Sequence, residues 1–270
     1  MLLTAIALFF IITNIIWLAM DTMPPSWDDS IHMKLSILYS RVVPQMASEG
    51  GFKEFMSLSS YYPPFFHISA LPALYLYGFN EDYMVYVNFL YLIILIFSVH
   101  GIGKILFNSR VGVFSALLTL LYPIIFGLSR RYLLDFALVS MVCLVHYLAL
   151  RYHKENKPVL GLLLFLSMIS AGLVKQTAII FFIPAIGLLF FRKCPKNKML
   201  WVFPLSAFLV LFLIENRSFQ NIMGRESFGY KYASVFNAIE IVKRVYGNLI
   251  WYAGEIRRTM ASNFLLLFFF

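Results

Sequence analysis

Apolar residues run without a charge through the first 20 positions, and the same pattern returns near 84–103, 112–128, 132–150, 158–174, 176–191 and 199–214. An eighth run begins near 262 and reaches the last residue unfinished, so the sequence reads as the N-terminal part of a longer protein. About 20 consecutive apolar residues are what a helix needs to cross a bilayer. Two boundaries require an argument. Residues 112–150 and 158–191 are almost continuously apolar, yet either stretch would be roughly 50–60 Å long as one helix, against a hydrocarbon core of about 30 Å. Each must fold back on itself. The polar interruptions are Ser129-Arg130-Arg131 in the first stretch and Lys175-Gln176 in the second, and these are the predicted hairpin tips. The pattern predicts an all-α, polytopic transmembrane helical bundle, with residues 1–270 forming one transmembrane domain and residues 21–83 a long first loop.

That loop is too apolar to be a plain connection. From Asp29 to Ala47, the residues Ile31, Leu35, Leu38, Val42 and Met46 recur at helical spacing, with His32, Lys34, Ser36, Arg41 and Gln45 off the stripe. This is the pattern of an amphipathic helix lying in the membrane interface, with Asp28 or Asp29 at its start. A second element, PPFFHISALPALYLYG (63–78), is apolar but short for a span and is interrupted by Pro72. It is expected on the membrane surface or re-entrant.

Composition agrees with the pattern. The chain is 61% hydrophobic and 13% charged, far from the balance of a soluble domain. Its net charge of +9 does not point to nucleic acid, because the cations fall in short loops between apolar runs. The loops at 104–110, 151–157 and 192–198 hold nine Lys or Arg against one acid, and the segment 21–83 holds seven acids against three bases. Cationic loops stay in the cytosol, and the number of spans between the two groups is odd, so both signals give the same orientation. The expectation is an integral protein of a prokaryotic plasma membrane with a cytosolic N-terminus. Asp28, Asp29, Arg130, Arg131, Asp135, Lys175 and the segment 215–261 then share the external or lumenal side. The first segment lacks a basic n-region and a small-residue cleavage site, so it is expected to remain as a helix. Cys143 and Cys194 lie in an apolar run and a basic loop, which is no disulfide framework. No P-loop, dinucleotide fingerprint, zinc-ligand spacing or serine-hydrolase elbow is present in the sequence.

Four stretches in register with this topology carry a resemblance: PPSWDDSIHM, SSYYPPFFHISALPALYLYG, SRRYLLDFALVS and GLVKQTAIIFFIPA. They resemble the polyprenol-phosphate-sugar-dependent glycosyltransferases of the GT-C class, over roughly residues 1–195. The group is glycosyltransferase family 39, the dolichyl-phosphate-mannose protein mannosyltransferase-like enzymes, with bacterial relatives that include the aminoarabinose transferases. The resemblance implies an inverting, integral membrane glycosyltransferase that moves a hexosyl or pentosyl group from a polyprenyl-phosphate donor to an acceptor hydroxyl on a glycolipid or protein. It places the catalytic base at Asp28, with Asp29 where the family usually has Glu, and it aligns the family's Tyr/His-Pro-Pro element with Tyr62-Pro63-Pro64. Aminoarabinose transferases carry Lys before their prolines; Tyr62 stands there instead, which argues against that donor and against that subgroup's metal site.

The chemistry explains the residue types. A phosphate monoester is a good leaving group, so the reaction needs a nucleophile more than an acid, and one carboxylate at the interface suffices as general base. Charge grows on the departing phosphate, and a cation at the same depth stabilises it more in the transition state than in the ground state. Arg130, Arg131 and Lys175 are the candidates for the donor phosphate, Asp29 and Asp135 are supporting acids, and Tyr62, Pro63, Pro64 and His67 are expected to line the substrate. Each assignment has a simpler competitor. Asp28 or Asp29 would serve as a helix cap; Asp135 would pair with Arg131 one turn before it; Lys175 would snorkel to the boundary; and Tyr61, Tyr62, Phe65 and Phe66 would form an interfacial belt. His32 and His67 could join Asp28 around a divalent cation, but no spacing demands one, and neither a metal nor a cofactor is assigned. His100 and His146 read as core residues. Membrane lipids are the remaining partners. Two other classes share the topology: a non-catalytic scaffold that binds a lipid carrier, and a secondary transporter, which would place charges at the midplane on matched interrupted helices.

Overall fold

The computed structural model describes residues 2–190 except Ser60, and these lie within one compact unit, Met1–Ile222. The predicted spans 199–214 and 262 onward, the 192–198 loop, Cys194 and the 215–261 segment fall outside the described residues. Among the described residues every regular element is helical. In chain order they are α1 (Leu2–Met20), α2 (Trp27–Val42), a 3₁₀ turn (Val43–Gln45), α3 (Gly51–Ser57), α4 (Phe65–Ser69), α5 (Leu71–Tyr77), α6 (Glu81–Val85), α7 (Val87–Leu106), α8 (Ser109–Leu121), α9 (Pro123–Leu128), α10 (Leu134–Glu155), α11 (Pro158–Val174) and α12 (Ala178–Phe190). Three segments, Leu2–Met20, Glu81–Leu106 and Leu134–Glu155, are long and apolar enough to cross a membrane.

Helix α10 is central and packs against α7, α11 and α12. Its Phe136, Ala137, Val145 and Ala149 are fully buried, as are Tyr91, Leu92, Leu95 and Ile96 of α7 and Leu164, Met168, Ala171 and Val174 of α11. The outward faces carry large apolar residues, among them Leu90 and Phe97 of α7, Phe114 and Leu118 of α8, and Ile180 and Ile183 of α12. That inside-and-outside apolarity is what lipid as solvent allows. The α7–α8 hairpin closes on glycines: a Cβ on Gly103 would stand 2.7 Å from Gly112 Cα, and one on Gly112 would stand 2.5 Å from the His100 carbonyl oxygen.

Both long apolar runs break at the charged residues. Helix α9 ends at Leu128, residues 129–133 turn, and α10 begins at Leu134. The turn survives burial because its carbonyls are satisfied: Asn88 Nδ2, from α7, donates to the carbonyls of Ser129 (3.2 Å) and Arg131 (2.7 Å). In the second run α11 ends at Val174 and Lys175 takes an extended conformation before α12. The first run has a further break at Tyr122–Pro123, where proline removes the amide hydrogen that α8 would need to continue.

Residues 63–78 form two short helices. Together Phe65–Tyr77 is too short to meet the length of a span. The separation falls at Ala70, with Pro72 in the first turn of α5 rather than at the break itself. Tyr39, Val42, Phe55 and Leu71 form a small core of their own that ties α2, α3 and α5 together.

Helix α2 corrects the expected stripe. Its buried residues are Asp29, His32, Met33, Ser36, Tyr39 and Val42, whereas Ile31, Leu35 and Leu38 are only half-buried. The inward face therefore mixes Asp29, His32 and Ser36 with Met33, Tyr39 and Val42, while Lys34, Arg41 and Gln45 stay exposed. The reason is that partners wait there: Ser36 Oγ meets the buried Tyr132 hydroxyl at 2.7 Å, and His32 meets His67 at 3.2 Å.

Candidate active site

Ser26 leads into α2, so Asp28 and Asp29 occupy its first turn, where the helix dipole favours negative charge. Neither is the cap residue itself. Asp29 reaches back: its Oδ2 accepts from the Ser26 amide (3.3 Å) and the Ser26 hydroxyl (2.6 Å), the acidic half of a capping box. The same oxygen accepts from Arg131 Nε (3.2 Å) and Nη2 (2.6 Å), and Arg131 Nη2 also donates to Ser26 Oγ. Asp29 Oδ1 is buried without a partner. Asp28, one residue earlier, is exposed and has no hydrogen bond or ion pair among the described residues.

Arg130 and Arg131 diverge from the same turn. Arg131 goes to α2. Arg130 turns to α1, where its guanidinium lies 4.6 Å from the Trp17 ring centre and 3.7 Å from that of Phe126, and its Nε donates to Asn14 Oδ1 at 3.0 Å. Asn14 in turn donates to Ser129 Oγ at 3.0 Å.

Asp135 does not pair with Arg131. Residues 131–133 precede α10, so the one-turn helical spacing never forms, and Asp135 instead accepts from Lys175 Nζ at 2.8 Å. The pair is half-exposed, with 33% of the Lys175 side chain and 46% of that of Asp135 open. Lys175 is thus more than a snorkelling residue, though the ion pair is open to water.

Tyr62, Pro63 and Pro64 lead into α4, which delivers His67 to the interior. His32 Nδ1 and His67 Nε2 lie 3.2 Å apart. Tyr62 sets its edge against His32 with ring centres 4.6 Å apart, and Tyr39 stacks on His67 at 5.8 Å. Burial lowers the His32 pKa to about 4 against the pull of the Asp28, Asp135 and Asp29 carboxylates, with Lys175 reinforcing burial. Burial also lowers His67 to about 3, helped by His32 and opposed by the Pro63 carbonyl. Both rings are neutral at pH 7. Burial, followed by Tyr61 and Asp28, pushes the Tyr62 hydroxyl upward. Asp28 precedes His32 by one turn of α2, and the charges of Asp28, Asp135 and Lys175 act on both the His32 and the Tyr62 ring.

Sequence reasoning missed Ser26, Asn14, Asn88 and Tyr132. Asn14 and Asn88 carried a readable signal, since an amide inside an apolar run must find a partner. Among the described residues no group of three or more metal-ligating side chains occurs.

Helices of this length and apolarity define an integral membrane protein. The chain belongs to the dolichyl-phosphate-mannose-protein mannosyltransferase family, whose model matches residues 62–215, more than half of the chain. It is accordingly a membrane glycosyltransferase of the kind that uses a polyprenyl-phosphate sugar and membrane acceptors. The matched region contains the Tyr62–Pro64 element, both arginines of the tip, Asp135 and Lys175, and begins after Asp28 and Asp29. No curated protein and no solved structure matches the chain.

Proposed function

We propose that this protein transfers a sugar from a polyprenyl-phosphate donor to an acceptor hydroxyl at the external or lumenal membrane face, with inversion at the anomeric carbon and Asp28 as general base. The acceptor oxygen attacks the anomeric carbon as its proton passes to the Asp28 carboxylate. The bond from that carbon to the phosphate oxygen breaks, and the polyprenyl phosphate leaves with the electron pair. Arg131 and Lys175 meet the charge that grows on the phosphate. Arg130 belongs in this reading to the support of the tip against α1.

One observation carries the assignment. Of the three carboxylates at this rim, Asp29 and Asp135 are each committed to a cation, whereas Asp28 is exposed and its side chain has no partner among the described residues. A base must be free to accept a proton, and a carboxylate already holding an arginine is a poor one. Asp135 and Asp29 are supporting acids that keep Lys175 and Arg131 ordered and partly exposed, available to a phosphate. Tyr62, Pro63 and Pro64 form the wall on which a sugar would rest; His67, expected beside them, is fully buried behind that wall and does not line it.

The test is Asp28→Asn in the full-length protein, reconstituted with polyprenyl-phosphate sugars. Transfer is expected to fall by about 100-fold or more, with expression and carrier binding as in wild type. Unchanged transfer would reject Asp28 as the base. Carrier binding with no transfer from any donor lipid by wild type would favour the scaffold reading.

A further inference from the structure

The wall beside Asp28 contains a histidine pair that the proposed reaction leaves unused. His32 is 4% exposed and His67 0%, with the two facing nitrogens 3.2 Å apart. Two neutral imidazoles bonded in this way have two proton arrangements. Either His32 Nδ1–H donates to His67 Nε2, or His67 Nε2–H donates to His32 Nδ1. The outcome is decided at the far nitrogen of His67. Its Nδ1 is buried and has no partner at full hydrogen-bond geometry, but the Pro63 carbonyl acts on that ring as an acceptor. A proton on Nδ1 is attracted to that carbonyl, whereas a bare lone pair there would be repelled by it. The first arrangement is favoured, and it leaves the lone pair of His32 Nε2 without a partner among the described residues.

The position of that lone pair matters. Asp28 precedes His32 by one turn of α2, Tyr62 lies against the ring, and Ser36, one turn further on, meets Tyr132, three residues before the Asp135 that holds Lys175. If Asp28 takes the acceptor's proton and Lys175 meets the phosphate, the transferred sugar spans the space between them. A further carboxylate there would bind sugar hydroxyls but repel the donor phosphate. A neutral imidazole accepts a hydroxyl proton without adding charge.

We propose that His32 Nε2 accepts a hydrogen bond from a hydroxyl of the transferred sugar, and that His67 is the positioning residue that fixes the His32 tautomer for this purpose. The proposal rests on the transferase reading above.

Full-length protein labelled with ¹⁵N-histidine, in lipid nanodiscs, tests it with dolichyl-phosphate mannose and with dolichyl phosphate as probes. The His32 Nε2 resonance should be that of an unprotonated nitrogen, and it should move to a hydrogen-bonded position with the mannosyl lipid but not with the bare carrier. In transfer assays with monodeoxy analogues of the mannosyl lipid, wild type should lose roughly 10–100-fold for one of them, because a site built around a hydroxyl rejects its absence. His32→Leu should transfer the parent sugar as poorly as wild type transfers that analogue, and should no longer distinguish the two. His32→Gln, whose amide oxygen can accept, should recover part of the discrimination. If mannose is transferred while the resonance stays still, or while His32→Leu discriminates as wild type does, the sugar contact is overturned and the transferase reading stands. If wild type neither binds nor transfers from either probe, the transferase reading falls and the contact falls with it. Should His32→Leu fail to fold, the wild-type resonance decides alone.

Discussion

Asp28 and Asp29 are neighbours with opposite structural duties, so neutralising them should have opposite consequences. Asp29 Oδ2 gathers the Ser26 amide, the Ser26 hydroxyl and the Arg131 guanidinium. Asp29→Ala removes all of these at once, at a cost of about 1–2 kcal/mol that comes mainly from the lost cap, because the freed Arg131 guanidinium is exposed and returns to water. Thermal unfolding in detergent should register that loss, whereas Asp28→Asn should melt as wild type does. An unchanged melting temperature for Asp29→Ala would mean that the cap and ion pair contribute nothing. The histidine pair makes a second residue-level prediction. Burial holds His32 near a pKa of about 4 and His67 near about 3, against 6.5 unfolded. Depressed values mean that the unfolded chain takes up protons first, so stability is fully present above pH 6.5 and is lost as pH falls toward 4. At pH 5 the loss should be on the order of 1–2 kcal/mol per histidine. The acid-induced drop in melting temperature should shrink in His67→Phe; the same drop in that variant would show that other groups carry it. The adjacency of the two acids was plain in the sequence, but their division of labour was not, because it depends on Arg131, which is 102 positions away from Asp29.

Among the elements, helix boundaries were the most legible feature, and one helix orientation the least. The run 158–174 is α11 to the residue, framed by Pro158 at its start and Lys175 at its end. Proline and a lone cation inside an apolar run are signals the backbone cannot ignore. Helix α2 was misread because an amphipathic stripe says only that two faces differ. At a membrane boundary the stripe need not be buried whole: Ile31 and Leu38 stay half-buried, while His32 and Ser36 are drawn inward beside Met33, Tyr39 and Val42 by the partners they find there. The tip between α9 and α10 shows what pattern cannot supply: it is held by Asn88 from α7, whose side chain caps the Ser129 and Arg131 carbonyls. Asn88→Leu should leave the Ser129 carbonyl unsatisfied and the Arg131 carbonyl with only the Leu133 amide (3.0 Å), destabilise the tip by about 1–3 kcal/mol and release Arg131 from Asp29. Hydrogen exchange at residues 129–133 would report this directly. The exchange should rise there and stay unchanged in α11; a uniform rise throughout would mean general unfolding, and no rise would remove Asn88 as the clamp.

For the whole molecule, charge and contact lead independently to one sidedness. The excess of cations in the 104–110 and 151–157 loops over the acidic first loop assigns opposite sides from sequence. The contacts use no membrane at all, yet they join α2 to the tip at 129–133 through Asp29 and Arg131, and they join Lys175 to Asp135 in the first turn of α10, directly after that tip. Residues that touch cannot lie on opposite faces of a bilayer core about 30 Å thick. The start of α2, the 129–133 turn and the 175–177 turn must therefore be reached from one side, and the 104–110 loop, at the far end of α7, from the other. Single cysteines at the exposed positions Ser30, Thr177 and Phe107, in a background without Cys143 and Cys194, give a direct measurement. An impermeant maleimide added to intact cells should label Ser30→Cys and Thr177→Cys, and should reach Phe107→Cys only after the membrane is opened. If Ser30→Cys and Thr177→Cys label from different sides, no shared rim exists and the assignment of Asp28, Arg131 and Lys175 to one reaction fails. If both label only after permeabilisation, the rim survives but faces the cytosol, and the donor must be met on the opposite leaflet from the one the loop charges imply.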